Sequence, residues 1–368
     1  MFLALVAVLL AFGILMVHSA SITSWPTEFE QVYLSRHLAF VLVAVTAAAV
    51  CASLPSHFWS RGAPWVFWGT VFLLAVVLIP GVGTRVNGAQ RWLRFGPLSL
   101  QPSELATIAL PLMLCRLADS RRQRWQRFFA GTLPVVWPIL VVVPLVLVEP
   151  DLGTAALLTL GATIALFVAG WPLRHLLLAA VLAVPAAGLL VAFRPYQVQR
   201  ITGFLAAWSD AGEAPYQLTQ SLVSLGEGGL FGVGLGKGWQ KLSFLPEANT
   251  DFVFAVVGEE LGLAGTLGLV AVWAGLFVAG LRLIAPLPRN SFASAAAFTL
   301  LVQLVLQAVV NMAVVTALVP PKGIPLPLIS YGGSDLLAGL ASIGIVLSLT
   351  RPHHAKCAVR PPASSVAV

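Results

Sequence analysis

An all-α integral membrane protein is the fold class that the sequence predicts, and its composition, its apolar runs and its charge placement each favour this class. Of its 368 residues, 58% are hydrophobic and only 10% are charged, and the mean hydropathy is +0.92. A soluble domain of this size could not bury so much apolar surface. The chain is therefore expected to lie in a lipid bilayer.

Ten apolar runs approach the roughly 17 to 25 residues that a helix needs to cross a hydrocarbon core of about 30 Å. The fourth run is the weakest, because it is short, begins with Glu104 and contains Pro111. No Lys or Arg precedes the first run, which favours a retained helix over a secretion signal. We expect about ten transmembrane helices, at residues 2–18, 38–54, 65–80, 103–118, 132–148, 152–169, 173–193, 255–284, 295–319 and 335–350.

Basic residues predict the orientation of these helices. The segment 115–127 contains five arginines and one acid, Asp119. The positive-inside rule places this segment and both termini in the cytoplasm. The predicted organisation is a polytopic domain over 1–351, with one large extracytoplasmic loop at 194–254, and a short cytoplasmic tail at 352–368 that is expected to be disordered. The net charge of +7 is spread over helix ends, so it does not form the basic stripe of a nucleic-acid-binding protein.

The segment "LPEANTDFVFAVVGEELG" at 245–262 concentrates acids just before a long apolar run. It contains Glu247, Asp251, Glu259 and Glu260. Residues 261–281 are enough to span the bilayer alone. The acids are therefore expected at a water-filled opening on the outer face of the membrane, here called the acidic mouth. An ionised side chain this close to hydrocarbon is costly unless it faces a cavity or a partner.

Other polar residues have a structural and a functional interpretation. Asp151, in "VEPDLGTA", is first of all a candidate helix cap, and "QPSE" at 101–104 has Pro102 and Glu104 at positions typical of a helix start. In the ninth helix, the polar face formed by Gln303, Gln307 and Asn311 is more typical of hydrogen bonding between helices than of a site.

The composition of two long connections is not that of flexible linkers. The loop at 194–254 is apolar and glycine-rich, which predicts an element that folds back on the protein as a lid or re-entrant segment. Its "GVGLGKG" lacks the spacing and the Ser/Thr of a phosphate-binding loop. The segment "PPKGIPLPLISYGGSD" at 320–335 is rich in proline, and we expect it to form a wall beside the acidic mouth.

Four blocks, in this order, resemble the signatures of the SEDS family, the shape, elongation, division and sporulation proteins such as FtsW and RodA. The similarity runs from about residue 87 to residue 351, and "GVGLG", "QKL" and "PPKG" are closer to the FtsW division branch than to RodA. The blocks are "NGAQRWLRFGPLSLQPSE", "EPDLGTA", "SLVSLGEGGLFGVGLGKGWQKLSFLPEANTDFVFAVVGEELG" and "VPPKGIPLPLISYGGS".

This resemblance implies a ten-helix SEDS fold and a glycosyltransferase that polymerises lipid II into peptidoglycan at the outer face of the bacterial cytoplasmic membrane. It also implies, as partners, lipid II, undecaprenyl-pyrophosphate-linked glycan, a class B penicillin-binding protein with transpeptidase activity, and other division or elongation membrane proteins. No organic cofactor is implied. A divalent cation, Mg or Mn, could assist departure of the pyrophosphate.

The resemblance also implies site residues. The acid of the "TDF" block, Asp251, would be the catalytic base. The family commonly has His where this chain has Asn249, and Ser where it has Asp335. Substrate-binding roles are predicted for Arg91, Glu104, Asp151, Arg200, Lys237, Lys241, Glu259, Lys322 and Ser330.

Two other functions fit a ten-helix protein of this composition. A lipid II flippase would also bind a pyrophosphate lipid, but transporters place their sites near the midplane, whereas these acids gather toward one face. A non-catalytic scaffold for division proteins would not need the acidic cluster. The polymerase is therefore the favoured prediction.

Overall fold

The computed structural model describes residues 1–21, 28–86, 89–96, 98–124, 131–209, 215–242 and 244–351. Within these ranges the chain forms twelve α-helices and a three-stranded sheet. The elements are α1 (Phe2–Ala20), α2 (Glu28–Ser53), α3 (Ser56–Val77), β1 (Gly83–Val86), β2 (Ala89–Phe95), β3 (Leu98–Leu100), α4 (Pro102–Arg121), α5 (Leu133–Val148), α6 (Leu152–Val168), α7 (Leu173–Ala192), α8 (Pro195–Ser209), α9 (Tyr216–Glu227), α10 (Val253–Ile284), α11 (Phe292–Val315) and α12 (Gly333–Thr350).

Each of the ten predicted apolar runs falls on one of these helices, namely α1 to α7 and α10 to α12. In the described part of the chain, six helices have the length and apolar composition to cross a membrane: α1, α2, α3, α10, α11 and α12. Helices α5, α6 and α7 provide shorter apolar stretches. The all-α membrane fold class is confirmed. The tail at 352–368 lies outside the described residues.

The surroundings of the fourth helix, α4, explain why its sequence is less typical of a transmembrane helix. It runs unbroken for 20 residues despite Pro111, which corresponds to about 30 Å at 1.5 Å per residue. It packs against α3, α5, α6, α11 and α12, and most of its residues are buried. Because neighbouring helices rather than lipid surround α4, its sequence can be less hydrophobic than that of a lipid-facing helix.

A small antiparallel sheet, which was not predicted, lies between α3 and α4. Strand β1 pairs with β2, and β2 pairs with β3. The sheet precedes the first turn of α4, and β3 also contacts α12. It therefore lies at the end of the bundle where α4 and α12 begin, and β2 contributes Arg91 to a cavity at that end.

The described residues of the long loop at 194–254 fold back on the protein, as predicted. It contains α8, α9 and a segment at 228–242 that packs against α10. Helix α10 is broken at Gly262, which has φ 66° and ψ −162°. Around the break, Val233 N–H donates to Glu259 O at 3.0 Å and Ala264 N–H donates to Leu230 O at 3.0 Å.

Glycine is required at this junction for two reasons. A side chain at Gly262 would have to adopt an unfavourable positive φ. A Cβ atom there would also collide with the backbone of Leu230 and Gly232. The segment at 228–242 thus replaces part of the hydrogen-bond ladder of α10.

Candidate active site

A cavity of about 470 Å³ opens at the end of the bundle where α6 and α10 begin. Its wall is assembled from β2, the α5–α6 turn, α8, α9, the segment before α10 and the α11–α12 connection. Of the predicted wall at 320–335, residues 321–323 line this cavity. The structure brings together five predicted site residues here. The lining residues are Ala89, Arg91, Pro150, Asp151, Leu152, Gly153, Arg194, Gln197, Arg200, Gln217, Glu247, Asp251, Phe252, Pro321, Lys322 and Gly323.

Asp251 lies in the turn just before α10, and its backbone is held by contacts with the last third of the chain. Asn311 Nδ2 of α11 donates to Asp251 O at 2.8 Å. Ser330 Oγ donates to Thr250 O at 2.5 Å, and Tyr331 N–H donates to Asn249 O at 2.8 Å. These bonds fix the backbone and leave the carboxylate of Asp251 directed at the cavity wall beside Gly323.

The electrostatic surroundings of Asp251 suit an acid–base role. Burial raises the pKa of Asp251 to about 7, and the nearby carboxylate of Glu247 also raises it. Arg91 and Arg200 lower the same pKa, and Asp335 raises it further. A carboxyl group whose pKa lies near neutrality can exchange a proton efficiently at physiological pH.

Asp151 performs the structural role that its sequence position predicted. Its Oδ1 accepts a hydrogen bond from Thr154 N–H at 3.1 Å, and its Oδ2 accepts one from Thr154 Oγ1 at 2.9 Å. It therefore caps α6. Asp151 Oδ2 also lies 2.9 Å from Arg91 Nη1, so the same carboxylate holds the arginine at the cavity wall.

Four cationic side chains line the cavity, namely Arg91, Arg194, Arg200 and Lys322. Arg200 Nη1 donates to Pro321 O at 3.3 Å, which connects α8 to the α11–α12 connection. Burial lowers the pKa of Lys322, and Arg200 contributes in the same direction. This concentration of positive charge beside Asp251 is suited to phosphate groups.

Four further polar residues line the cavity but were not predicted as site residues, namely Arg194, Gln197, Gln217 and Glu247. A signal for α8 was available, because Arg194, Gln197 and Arg200 are spaced three residues apart. Residues with this spacing share one face of a helix. For Gln217 we find no comparable local signal.

Lys241 and Glu259, which were predicted to bind substrate, lie outside the lining of this cavity. Lys241 Nζ lies 2.6 Å from Glu260 Oε1, and both side chains are fully buried. Ser19 Oγ, at the end of α1, contacts both charged groups. Glu259 instead accepts hydrogen bonds from the backbone N–H groups of Trp239 at 2.5 Å and Gln240 at 3.1 Å.

The other predicted substrate-binding residues also lie away from the cavity lining. Lys237 is exposed on the segment at 228–242. Ser330 is buried, and its hydroxyl group bonds only to backbone atoms of the two segments it joins. Glu104 is at the third helical position of α4, as predicted, and its side chain lines a second, smaller cavity inside the bundle.

The polar face of α11 does connect segments, as predicted. Asn311 Nδ2 also donates to Ile324 O at 2.7 Å, and Gln307 Nε2 donates to Asp335 Oδ1 at 2.7 Å. Gln303 is the exception, because neither atom of its buried amide group has a hydrogen-bond partner.

A divalent cation remains a prediction. No group of three or more His, Cys, Asp and Glu side chains suited to a metal occurs within the described ranges. In the large cavity, both oxygens of Asp151 already bind Arg91 or the start of α6. The described residues that line this cavity do not form a protein-held site for a divalent cation, which would have to enter with the phosphate oxygens of a substrate.

Comparison with known proteins identifies the family of this site. The sequence model of the FtsW, RodA and SpoVE proteins, described as "Cell cycle protein", matches residues 1–355. The chain belongs to the FtsW/RodA/SpoVE family. This assignment confirms the SEDS resemblance, and with the apolar helices it makes the chain a multi-pass membrane protein.

Curated members of the family match over almost the whole chain. A probable peptidoglycan glycosyltransferase FtsW from Geobacter sp. (strain M18) is 37% identical over 350 residues, covering 95% of each chain. A protein of the same name from Aromatoleum aromaticum is 42% identical over 347 residues, covering 92% of this chain and 84% of its relative.

Solved structures of the family have the same fold. A chain from a study of how a peptidoglycan synthase complex coordinates polymerization and crosslinking aligns with a TM-score of 0.77 and 31% identity, covering 95% of this chain and 96% of the other. The rod shape determining protein RodA of Thermus thermophilus aligns with a TM-score of 0.70 and 31% identity, covering 95% of each chain.

Proposed function

We propose that this chain is a peptidoglycan glycosyltransferase that polymerises lipid II into glycan strands at the outer face of the bacterial cytoplasmic membrane. Relatives named as probable peptidoglycan glycosyltransferases support the reaction class. The observation that carries the proposal is the position of Asp251, whose carboxylate shares a cavity with four cationic side chains. This arrangement offers a base and a phosphate-binding surface side by side.

The reaction requires one displacement at an anomeric carbon. The 4-hydroxyl group of an acceptor GlcNAc attacks C1 of the lipid-linked chain, and Asp251 accepts the hydroxyl proton as the new C1–O bond forms. The bond between C1 and the pyrophosphate oxygen breaks, and undecaprenyl pyrophosphate leaves with the electron pair. Because the attack inverts C1, an α-linked pyrophosphate becomes a β-1,4 glycosidic bond.

The cationic side chains would serve the leaving group. A pyrophosphate that departs carries growing negative charge, which Arg and Lys stabilise by charge-assisted hydrogen bonds. Arg91 and Arg200 belong to different segments, so they can approach the pyrophosphate from two sides of the cavity. Lys322, which precedes Gly323 in the same cavity wall, can contact a further oxygen of the pyrophosphate.

Substitution of the proposed base tests this function. Asp251→Asn is nearly isosteric, and loss of a general base is expected to reduce polymerisation by about 10² to 10⁴-fold. The control is Asp119→Asn, the same change at an exposed acid at the end of α4. Purified variants would be incubated with labelled lipid II and the transpeptidase partner, and glycan would be separated by size. Wild-type polymer from a well-folded Asp251→Asn protein would disprove the assignment.

The proposed topology places the cavity outside the cell. At the other end of the bundle, Arg122 Nη1 donates to Asn290 O at 3.2 Å, and Arg116 binds the backbone of Ser60 and Arg61. Arginines gathered at this end support a cytoplasmic assignment for it. Both chain termini would then be cytoplasmic, and residues 194–250 and 320–334 would be extracytoplasmic.

Single cysteines can test the orientation. Gln199, exposed on α8, and Ser120, exposed at the end of α4, would each be changed to Cys in a chain whose Cys51, Cys115 and Cys357 are replaced. An impermeant thiol reagent applied to cells without an outer barrier should label position 199 only. Labelling of position 120 alone would reverse the topology and remove Asp251 from the outer face.

We further propose that the chain works in cell division with a class B penicillin-binding protein. The curated relatives named FtsW support the division branch. A structural relative from a peptidoglycan synthase complex supports a transpeptidase partner. Depletion of this chain should produce filaments if it acts in division, whereas rounded cells would indicate elongation.

A further inference from the structure

A second cavity, distinct from the candidate active site, lies inside the bundle between α4, α11 and α12. Its volume is about 20 Å³, close to the space that one water molecule occupies. Four of its ten lining residues are apolar or glycine. The polar lining residues are Glu104, Thr107, Gln303, Gln307, Asp335 and Ser342.

The charges around this cavity do not balance. Glu104 and Asp335 are acids, and no Lys, Arg or His is among the described residues that line the cavity. Arg91 interacts with Glu104 from outside this lining. Both acids are buried, and an ionised carboxylate in this setting requires a positive partner. Gln307 Nε2 donates one hydrogen bond to Asp335 Oδ1 at 2.7 Å, but a neutral amide does not compensate a full charge.

Gln303 provides a second, independent sign of a missing ligand. Its side chain is only 5% exposed, yet within the described part of the chain neither its Oε1 nor its Nε2 has a hydrogen-bond partner. Buried polar groups are almost always satisfied by protein, water or an ion. Gly161 of α6 leaves room for this amide, because a Cβ atom at position 161 would lie 2.6 Å from Gln303 Oε1.

From these observations we propose that the inner cavity binds one dehydrated Na⁺ ion, held by carboxylate oxygens of Glu104 and Asp335 and by the amide oxygen of Gln303. Ser342 supplies a further hydroxyl oxygen. Oxygen ligands are those that hard cations prefer. Mg²⁺ retains several of its waters, for which one water-sized space has no room. Ca²⁺ takes about 6 to 8 oxygens, more than these four side chains provide when each contributes one oxygen.

The bound ion would join three helices that are distant in the sequence. Glu104 is in the first turn of α4, Asp335 is in the first turn of α12, and Gln303 is in the middle of α11. An ion at their junction neutralises one acid charge, a proton on the acid pair neutralises the other, and the ion adds direct bonds between the helices. It therefore stabilises the folded state in proportion to its occupancy, whether or not the protein is active.

Thermal unfolding of the purified full-length protein tests the site directly. Na⁺ would replace choline at constant ionic strength and constant pH. The melting temperature of the wild type should rise with the logarithm of the Na⁺ concentration. K⁺ is larger and should raise it less. An equal response to Na⁺, K⁺ and choline would be a bulk-salt effect and would overturn the proposal.

Two variants and a control locate the ion. Asp335→Asn should abolish the Na⁺ response, and Gln303→Leu should shift it to higher Na⁺ concentration without changing a charge. Asp119→Asn, at an exposed acid, should respond as the wild type does. If Asp335→Asn does not fold, the binding of radioactive Na⁺ to the wild type is compared with its binding to Gln303→Leu. Weaker binding to the variant supports the site, and equal binding overturns it.

Protons are the competing way to neutralise the two acids. A melting temperature that rises on acidification but is indifferent to Na⁺ at every pH would show that protons, not a metal ion, neutralise Glu104 and Asp335. That result would overturn the proposed Na⁺ site.

Discussion

The backbone of Gly323 lies against the carboxylate of Asp251, so closely that a Cβ atom on the glycine would come within 2.8 Å of Asp251 Oδ2. The α11–α12 connection thus forms the surface on which the proposed base rests. A methyl group at this position must displace either the connection or the carboxylate.

Gly323→Ala should therefore reduce polymerisation while the protein remains folded. A shift of the reacting group by about 1 Å can lower a rate on the order of 10²-fold. The measurement is the initial rate of glycan formation together with the melting temperature. Gly226→Ala is the control, because a Cβ atom there meets nothing within 4 Å. Full activity of Gly323→Ala would mean that the position of Asp251 is not critical.

The rate of polymerisation should depend on pH through Asp251. Its pKa is raised to about 7, and only the ionised form can accept a proton. The rate should therefore fall as the pH is lowered through about 7. Because the charge of Glu247 contributes to the raised pKa, Glu247→Gln should move the midpoint to lower pH. A rate independent of pH between about 6 and about 8 would contradict the assignment.

Glu149→Gln should stabilise the protein at alkaline pH. Glu149 is fully buried, and neither carboxylate oxygen has a hydrogen-bond partner. Burial raises its pKa to about 8 from an ordinary value of 4.5, and Asp151 contributes. Since the folded-state pKa is the higher one, ionisation favours unfolding increasingly between these two values. The melting temperature of the variant minus that of the wild type should grow over this range and level off above pH 8.

Lys241 and Glu260 should stabilise the folded protein only when both are present. Removing one partner of a buried ion pair typically costs about 3 to 5 kcal/mol, because the other charge is left uncompensated. Lys241→Met should lower the melting temperature, and adding Glu260→Gln should recover much of the loss. If the single variant instead kept full stability and lost only substrate binding, Lys241 would be a ligand of the substrate.

The sequence predicted the helices well because a lipid environment imposes a strong and simple requirement on apolar length. Helix α4 was predicted as the weakest run because protein rather than lipid surrounds it, so its sequence does not need the same hydrophobicity. The sheet was missed although the dipeptide Asn87–Gly88 stands between two segments rich in strand-forming residues, which is a recognised hairpin signal. A prediction based on apolar runs alone does not detect such short polar strands.

Site residues were predictable where a local motif determines their role. Asp151 caps α6 because it precedes the helix, which the sequence displays directly. The partner of Lys241 was not predictable in this way, because Glu260 comes close to it only after the chain turns back on α10. The distribution of charge indicates the side of the membrane, whereas the choice between a substrate and an internal partner depends on tertiary contacts.

The hydrogen bonds that Asn311 and Ser330 make to residues 250 and 251 have a consequence for biogenesis. Asp251 is synthesised well before α11 and the α11–α12 connection, and until those segments are inserted its backbone has neither anchor. Lys322 and Gly323 also join the cavity at this late stage. A nascent or truncated chain that ends after α10 should thus insert into the membrane without a functional cavity. Catalytic competence would be acquired only with the last two helices, after the membrane-embedded chain is almost complete.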